Sequence, residues 1–175
     1  MNFFSKLIII LAILILNACS KNDKEISLIK EINQEDEMIQ AYKEGVKALE
    51  ENDTFFAAKK FLEAELLFPQ SDWAPKSSLM ASYAYYIESD YFNAIYNLER
   101  FLKTYPKDPR LDYVYYLMGL SYYENIEGEK KDLKPLLEAK KKIEFIIENY
   151  PSTDFALDSK FKIGLINDIL ASKEM

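Results

Sequence analysis

The chain has 175 residues, 29 acidic and 22 basic side chains for a formal net charge of −7, one cysteine, no histidine and only four glycines. Without histidine there is no Ser-His-Asp or Cys-His catalysis and no imidazole metal ligand, one cysteine cannot close an internal disulfide, and the acidic balance argues against nucleic acid. With 49% hydrophobic residues drawn largely from Leu, Ile, Ala and Tyr, the composition predicts an all-α protein that binds rather than catalyses, with no cofactor and no metal.

Residues 1–18 read as a lipoprotein signal peptide. Lys6 supplies a positive start, and Leu7 to Leu16 form an unbroken apolar run ending at Asn17-Ala18-Cys19. A spanning helix needs roughly 20 apolar residues, so this run fits an export signal instead. Leu16-Asn17-Ala18-Cys19 resembles the lipobox of bacterial lipoproteins, which implies cleavage after Ala18 and acylation of Cys19, with an ordinary signal peptide as the alternative. Ser20 stands where an inner-membrane retention signal would place Asp, so the resemblance implies the outer membrane, periplasmic face. Residues 19–34 mix Lys, Asn, Asp and Glu with isolated Ile and Leu and read as a flexible tether.

From residue 35 to 175 the chain repeats. Shifted by 37, Gly45 falls on Ser82, Ala57 on Ala94, Phe61 on Leu98, Ala64 on Phe101 and Pro69 on Pro106. A third copy places Gly119, Ala139, Ile143, Ile146 and Pro151 at the same landmarks, with extra residues in the Glu/Lys-rich stretch Asn125 to Pro135. A small residue on one helix lets a second approach closely, an alanine answers it across the crossing, and proline ends the unit. This spacing resembles the tetratricopeptide repeat. It predicts a helical-hairpin solenoid of about seven helices, three repeats plus the first helix of a fourth, near 36–51, 54–67, 74–88, 91–104, 110–124, 134–149 and 154–172. Asp53, Asp72, Asp90 and Thr153 are the expected N-caps.

In tetratricopeptide stacks the first helices line a concave face. Positions three before, one after and four after the Gly/Ser landmark give Tyr42, Val46 and Leu49; Leu79, Tyr83 and Tyr86; Tyr116, Leu120 and Tyr123, with Tyr113 one turn earlier. Eight of the 13 tyrosines lie in 83–86 and 112–123, so the candidate peptide-binding groove is aromatic: Tyr42, Tyr83, Tyr86, Tyr113, Tyr116 and Tyr123. For Tyr83, Tyr86, Tyr116 and Tyr123, ligand contact and half-exposed packing remain open. Tyr85 and Tyr122 are expected in the core, and Tyr115 against the first helix of the preceding copy. Lys130-Lys131 and Lys140 to Lys142 read as solvated, and Glu99 and Arg100 as a surface pair.

Tyr91, Ala94-Ile95, Leu98-Glu99-Arg100-Phe101, Tyr105-Pro106, Pro109, Asp112-Tyr113-Val114-Tyr115-Tyr116 and Gly119-Leu120, together with Ser71-Asp72-Trp73-Ala74 after Pro69, resemble the BamD family of the outer-membrane β-barrel assembly machinery. The resemblance covers essentially the whole chain. It implies a non-enzymatic scaffold, anchored in the membrane by its N-terminal lipid, that binds unfolded outer-membrane protein clients through aromatic-ended strands and docks on β-barrel assembly subunits. That family has about five repeats, and the fourth here stops after its first helix, so no residue is assigned to the barrel-subunit contact. The competing class is a periplasmic tetratricopeptide adaptor for envelope division or pilus secretin assembly. An enzyme using two carboxylates is a third, without a carboxylate pair in an apolar setting to support it. Residues 154–172 carry apolar side chains nearly all round, which predicts burial on most sides, by further chain or by a partner.

Overall fold

The computed structural model describes residues 23–125 and 133–174, which form seven helices and no strand. They are α1 (Asp23–Glu50), α2 (Thr54–Leu67), α3 (Trp73–Ile87), α4 (Tyr91–Thr104), α5 (Leu111–Glu124), α6 (Lys134–Asn149) and α7 (Asp154–Glu174). Cys19, the signal peptide, Lys130-Lys131 and most of the third-repeat insertion lie outside the described residues. Six of the seven helices begin within a residue of expectation. The exception is α1, which starts at Asp23 rather than 36, so the described part of the supposed tether, 23–34, is helical. Residues 23–44 contain neither Gly nor Pro, and a helix nucleated in the first repeat propagates backward through Glu, Lys, Gln, Leu and Ile at little cost.

The ends of the helices follow local chemistry. Asp53 Oδ1 accepts the Phe56 N–H at 3.1 Å and Asp90 Oδ1 accepts the Asn93 N–H at 3.2 Å, while Thr153 Oγ1 accepts the Ala156 N–H at 3.2 Å. Asp72 makes no such bond. Its backbone is already helical, at φ −64° and ψ −13°, which removes the extended geometry that lets a cap side chain fold back. Asn52 and Ser89, 37 apart, take φ of 60° and 63°. Each closes the preceding helix in the same way: Asp53 N–H reaches the Ala48 carbonyl and Asp90 N–H the Tyr85 carbonyl, at 2.8 and 2.9 Å, the left-handed helix stop.

Consecutive helices pack in pairs, and α3 also touches α5, as α5 touches α7. The register survives in the core: Ala57, Phe61 and Ala64, Ala94, Leu98 and Phe101, and Ala139, Ile143 and Ile146 are all buried. A Cβ at Gly45 would stand 2.8 Å from the Phe61 ring and one at Gly119 2.9 Å from Ile143 Cδ1, so these glycines set how closely the hairpin helices approach. In α7, Ala156, Ser159 and Ile166 are buried while Leu157, Phe161 and Leu165 are exposed, so among the described residues one apolar side of this helix is covered and another is left bare. Among the described residues no helix is long and apolar enough to cross a membrane.

Candidate functional site

The first helices α3, α5 and α7 lie side by side, and the tyrosine enrichment converges on the face they share. Tyr113 and Tyr116 on α5 set their rings 5.2 and 5.1 Å from Phe155 on α7, and the Tyr116 hydroxyl donates to Asp158 Oδ2 at 2.5 Å. Burial pushes the Tyr113 phenol up to about 12, helped by the phenols of Tyr83 and Tyr86 on α3. Tyr116 is raised by burial first and then by its bond to Asp158. Tyr86 is raised by burial and by Glu124, Tyr91 and Tyr83, and its ring stands 5.8 Å from Tyr91. Four expected groove residues, Tyr83, Tyr86, Tyr113 and Tyr116, therefore form one half-buried cluster with Phe155.

Tyr42 stands apart from that cluster. Tyr42 packs edge-on against Phe61 at 5.2 Å and Trp73 at 5.0 Å. The Lys76 ammonium lies 4.4 Å from the Trp73 ring centroid and 5.1 Å from that of Tyr42, the arrangement in which a cation is held by aromatic faces. Arg110 is near enough to Tyr42 to oppose the rise that burial imposes on its phenol. Arg110 itself is bound by Asp108 through two side-chain bonds of 2.8 and 2.6 Å, which hold the Asp108 carboxyl below its usual range. Tyr123 is half-buried and packs on the third-repeat core.

Sequence spacing missed Trp73, Lys76, Arg110, Phe155 and Asp158. Their signal is in the register: Trp73, Arg110 and Phe155 stand nine before Ser82, Gly119 and Gly164, and Lys76, Tyr113 and Asp158 six before. The lining stripe thus extends toward the helix N-termini. Three other expectations are corrected. Leu79 is buried with Leu98, Phe101 and Leu117 instead of lining the groove. Tyr115 meets Phe145 on its own second helix, centroids 4.2 Å apart, because the position four before the landmark faces that helix. Arg100 forms no surface pair with Glu99. It reaches back one repeat and grips Glu65 with bonds of 2.7 and 2.5 Å, adding Ser78 Oγ at 3.0 Å. The Tyr105 hydroxyl donates to the same carboxylate at 2.8 Å.

Tyr85 and Tyr122 pack on the core as expected, but each also floors a groove on the outer face. One groove, of about 490 Å³, runs among Phe92, Tyr96, Glu99 and Tyr122, and the Tyr122 hydroxyl donates to Glu99 at 3.2 Å. Among the described residues no cluster of three or more His, Cys, Asp or Glu side chains could hold a metal. The chemistry available on the first-helix face is apolar area with phenolic tips, suited to a polypeptide partner.

Such a stack of helical hairpins defines a tetratricopeptide-type solenoid. The first tetratricopeptide domain of Spaghetti (RPAP3), solved with an HSP90 peptide, superposes with a TM-score of 0.60 at 16% identity, covering 78% of this chain and 95% of that one. The first such domain of human RPAP3 matches equally, at 18% identity. The chain belongs to the YfiO outer membrane lipoprotein family, whose model matches residues 34–175. It is 34% identical to the outer membrane protein assembly factors BamD of Caulobacter vibrioides and Rickettsia prowazekii, over 77% of its own length in each case. It spans 44% and 53% of those two proteins, about half their length.

Proposed function

We propose that the protein is a non-enzymatic scaffold lipoprotein of outer-membrane β-barrel assembly, acylated at Cys19 and held at the periplasmic face of the outer membrane. In this reading the face formed by Tyr83, Tyr86, Tyr113, Tyr116 and Phe155 receives extended, aromatic-ended segments of unfolded outer-membrane proteins, and other surfaces meet the assembly subunits. The observation that carries it is the convergence of tyrosines from successive repeats onto one half-buried face. Family membership and the relatives' designation as assembly factors support the destination.

The test is binding of a labelled ten-residue peptide ending in phenylalanine, followed by fluorescence anisotropy. Truncation of a central aromatic contact commonly costs ~2 kcal/mol. Tyr83→Ala and Tyr86→Ala should each weaken binding by more than tenfold, with helical content unchanged, and an alanine-ended peptide should bind less well. Equal affinity for parent and both variants rejects the groove. Salt should change the affinity little, because the lining is apolar and Arg110 is already neutralised by Asp108.

A further inference from the structure

The outer face carries two grooves in the same register, and they differ in chemistry. Phe55, Lys59, Leu62 and Tyr85 line the first, of about 510 Å³. Phe92, Tyr96, Glu99 and Tyr122, each 37 residues later, line the second, of about 490 Å³. The rim phenylalanine and the floor tyrosine are common to both and follow from the repeat. The other two positions change: a lysine gives way to Tyr96 and an apolar leucine to Glu99.

Phe92, Tyr96 and Glu99 follow one another at four and three residues along α4, so two rings and a carboxylate share one stripe. The rings are 75% and 60% exposed, and Glu99 is exposed beside them. The Tyr122 hydroxyl donates to Glu99 from α5 at 3.2 Å, and no lysine or arginine among the described residues pairs with this carboxylate. Glu138, on the same groove, is already answered by Lys141 at 2.6 Å and by the charges of Lys142 and Lys134. One negative charge beside aromatic faces is therefore left to a partner. A guanidinium matches both parts, since its plane stacks on a ring while its N–H fork takes a carboxylate. An ammonium is a strongly hydrated point charge and matches only the second. Both rings stand largely in solvent, which leaves room for a polypeptide to run past, whereas a small-molecule site would enclose most of its ligand.

We propose that the groove of Phe92, Tyr96 and Glu99 receives one arginine side chain of a partner polypeptide, its guanidinium paired with Glu99 and stacked on the exposed rings. The site lies on the outer face and does not depend on the inner-face reading.

The experiment titrates the full mature chain, isotope-labelled and held in detergent micelles, with N-acetyl-arginine methylamide and follows the backbone amide signals. Saturable shifts are expected at Tyr96, Glu99 and Tyr122 with a Kd on the order of 1 mM, and none of that size at Lys59, Leu62 and Tyr85. Glu99→Gln in the chain, or citrulline in place of arginine in the probe, should weaken binding by about tenfold, because each keeps the shape and removes one charge. Glu99 is exposed, so its amide variant should retain the circular dichroism of the parent. The lysine analogue should bind about threefold more weakly than the arginine probe. Shifts that do not saturate, equal binding by the Glu99→Gln chain, or equal binding of the citrulline or lysine analogue overturns the proposal. So does tighter binding of free arginine than of the blocked probe, since a small molecule would then be the occupant.

Discussion

Glu65 is a carboxylate with only 5% of its side chain exposed, and three bonds neutralise it: two from Arg100 and one from Tyr105. Arg100→Met removes the countercharge and two of the three donors while keeping most of the side-chain volume. Breaking a fully buried pair costs about 3–5 kcal/mol because the remaining charge is left uncompensated. Arg100 is 33% exposed, so water reaches one side of the orphaned carboxylate, and the expected loss falls to about 2–3 kcal/mol. Against a domain stability of roughly 5–15 kcal/mol that is a large fraction. Glu65→Met alone should cost less, since it leaves a guanidinium that solvent can reach. The double variant should be more stable than Arg100→Met, as apolar replacement of both partners is often neutral or better. Urea unfolding followed by circular dichroism at pH 7 measures all three. If the losses of the single variants add in the double, Arg100 and Glu65 do not act as a pair across the first two repeats, and the reasoning fails.

Gly45→Ala should destabilise by about 1–3 kcal/mol, because its Cβ would press into the Phe61 ring, whereas Gly164→Ala should stabilise by up to ~1 kcal/mol through helix propensity alone; thermal melts of the two variants compare them directly. Ser89→Gly should gain about 1 kcal/mol by relieving a positive φ that Asn52 tolerates better, and a lower melting temperature would contradict this. Tyr113 and Tyr122 have folded-state phenols raised to about 12. Their contribution to stability is therefore complete below the ordinary value of 10 and lost as pH climbs from there through 12, so phenolate absorbance and helix loss should rise together in that window. Cys19→Ser should release the protein into the soluble fraction while circular dichroism of the repeats stays the same.

The solenoid was legible because its landmarks are steric. Gly45 and Gly119 touch Phe61 and Ile143, and the three alanines at 57, 94 and 139 are fully buried; residues constrained by volume leave a period that spacing can detect. The start of α1 was not legible in the same way. Asp23 to Gln34 has no steric landmark, and its polar, breaker-free composition serves a tether as well as a helix, so only propagation from the packed part of α1 decides between them. Asp72 shows a related ambiguity, since residue type marks a cap but the backbone dihedral determines whether its carboxylate can reach the N–H groups it should satisfy.

The site was partly legible for a different reason. Tyr83, Tyr86, Tyr113 and Tyr116 stood out by enrichment, but enrichment does not say which tyrosines share neighbours. Tyr115 carries the same side chain one residue from Tyr116, and a rotation of about 100° per residue sends it to Phe145 instead of Phe155. The same rotation hid Arg100, whose neighbour Glu99 faces the outer groove while Arg100 turns inward to Glu65. An i,i+1 charge pair on a helix does not face itself, so two adjacent opposite charges point to two different surfaces. Trp73, Arg110 and Phe155 share one position nine residues before the landmark, yet differ completely in chemistry. A repeat fixes where a side chain points and leaves its identity free, so the geometry of the groove follows from the period, while its character changes from repeat to repeat: a cation over aromatic rings beside Tyr42, an apolar phenol cluster between α3 and α7.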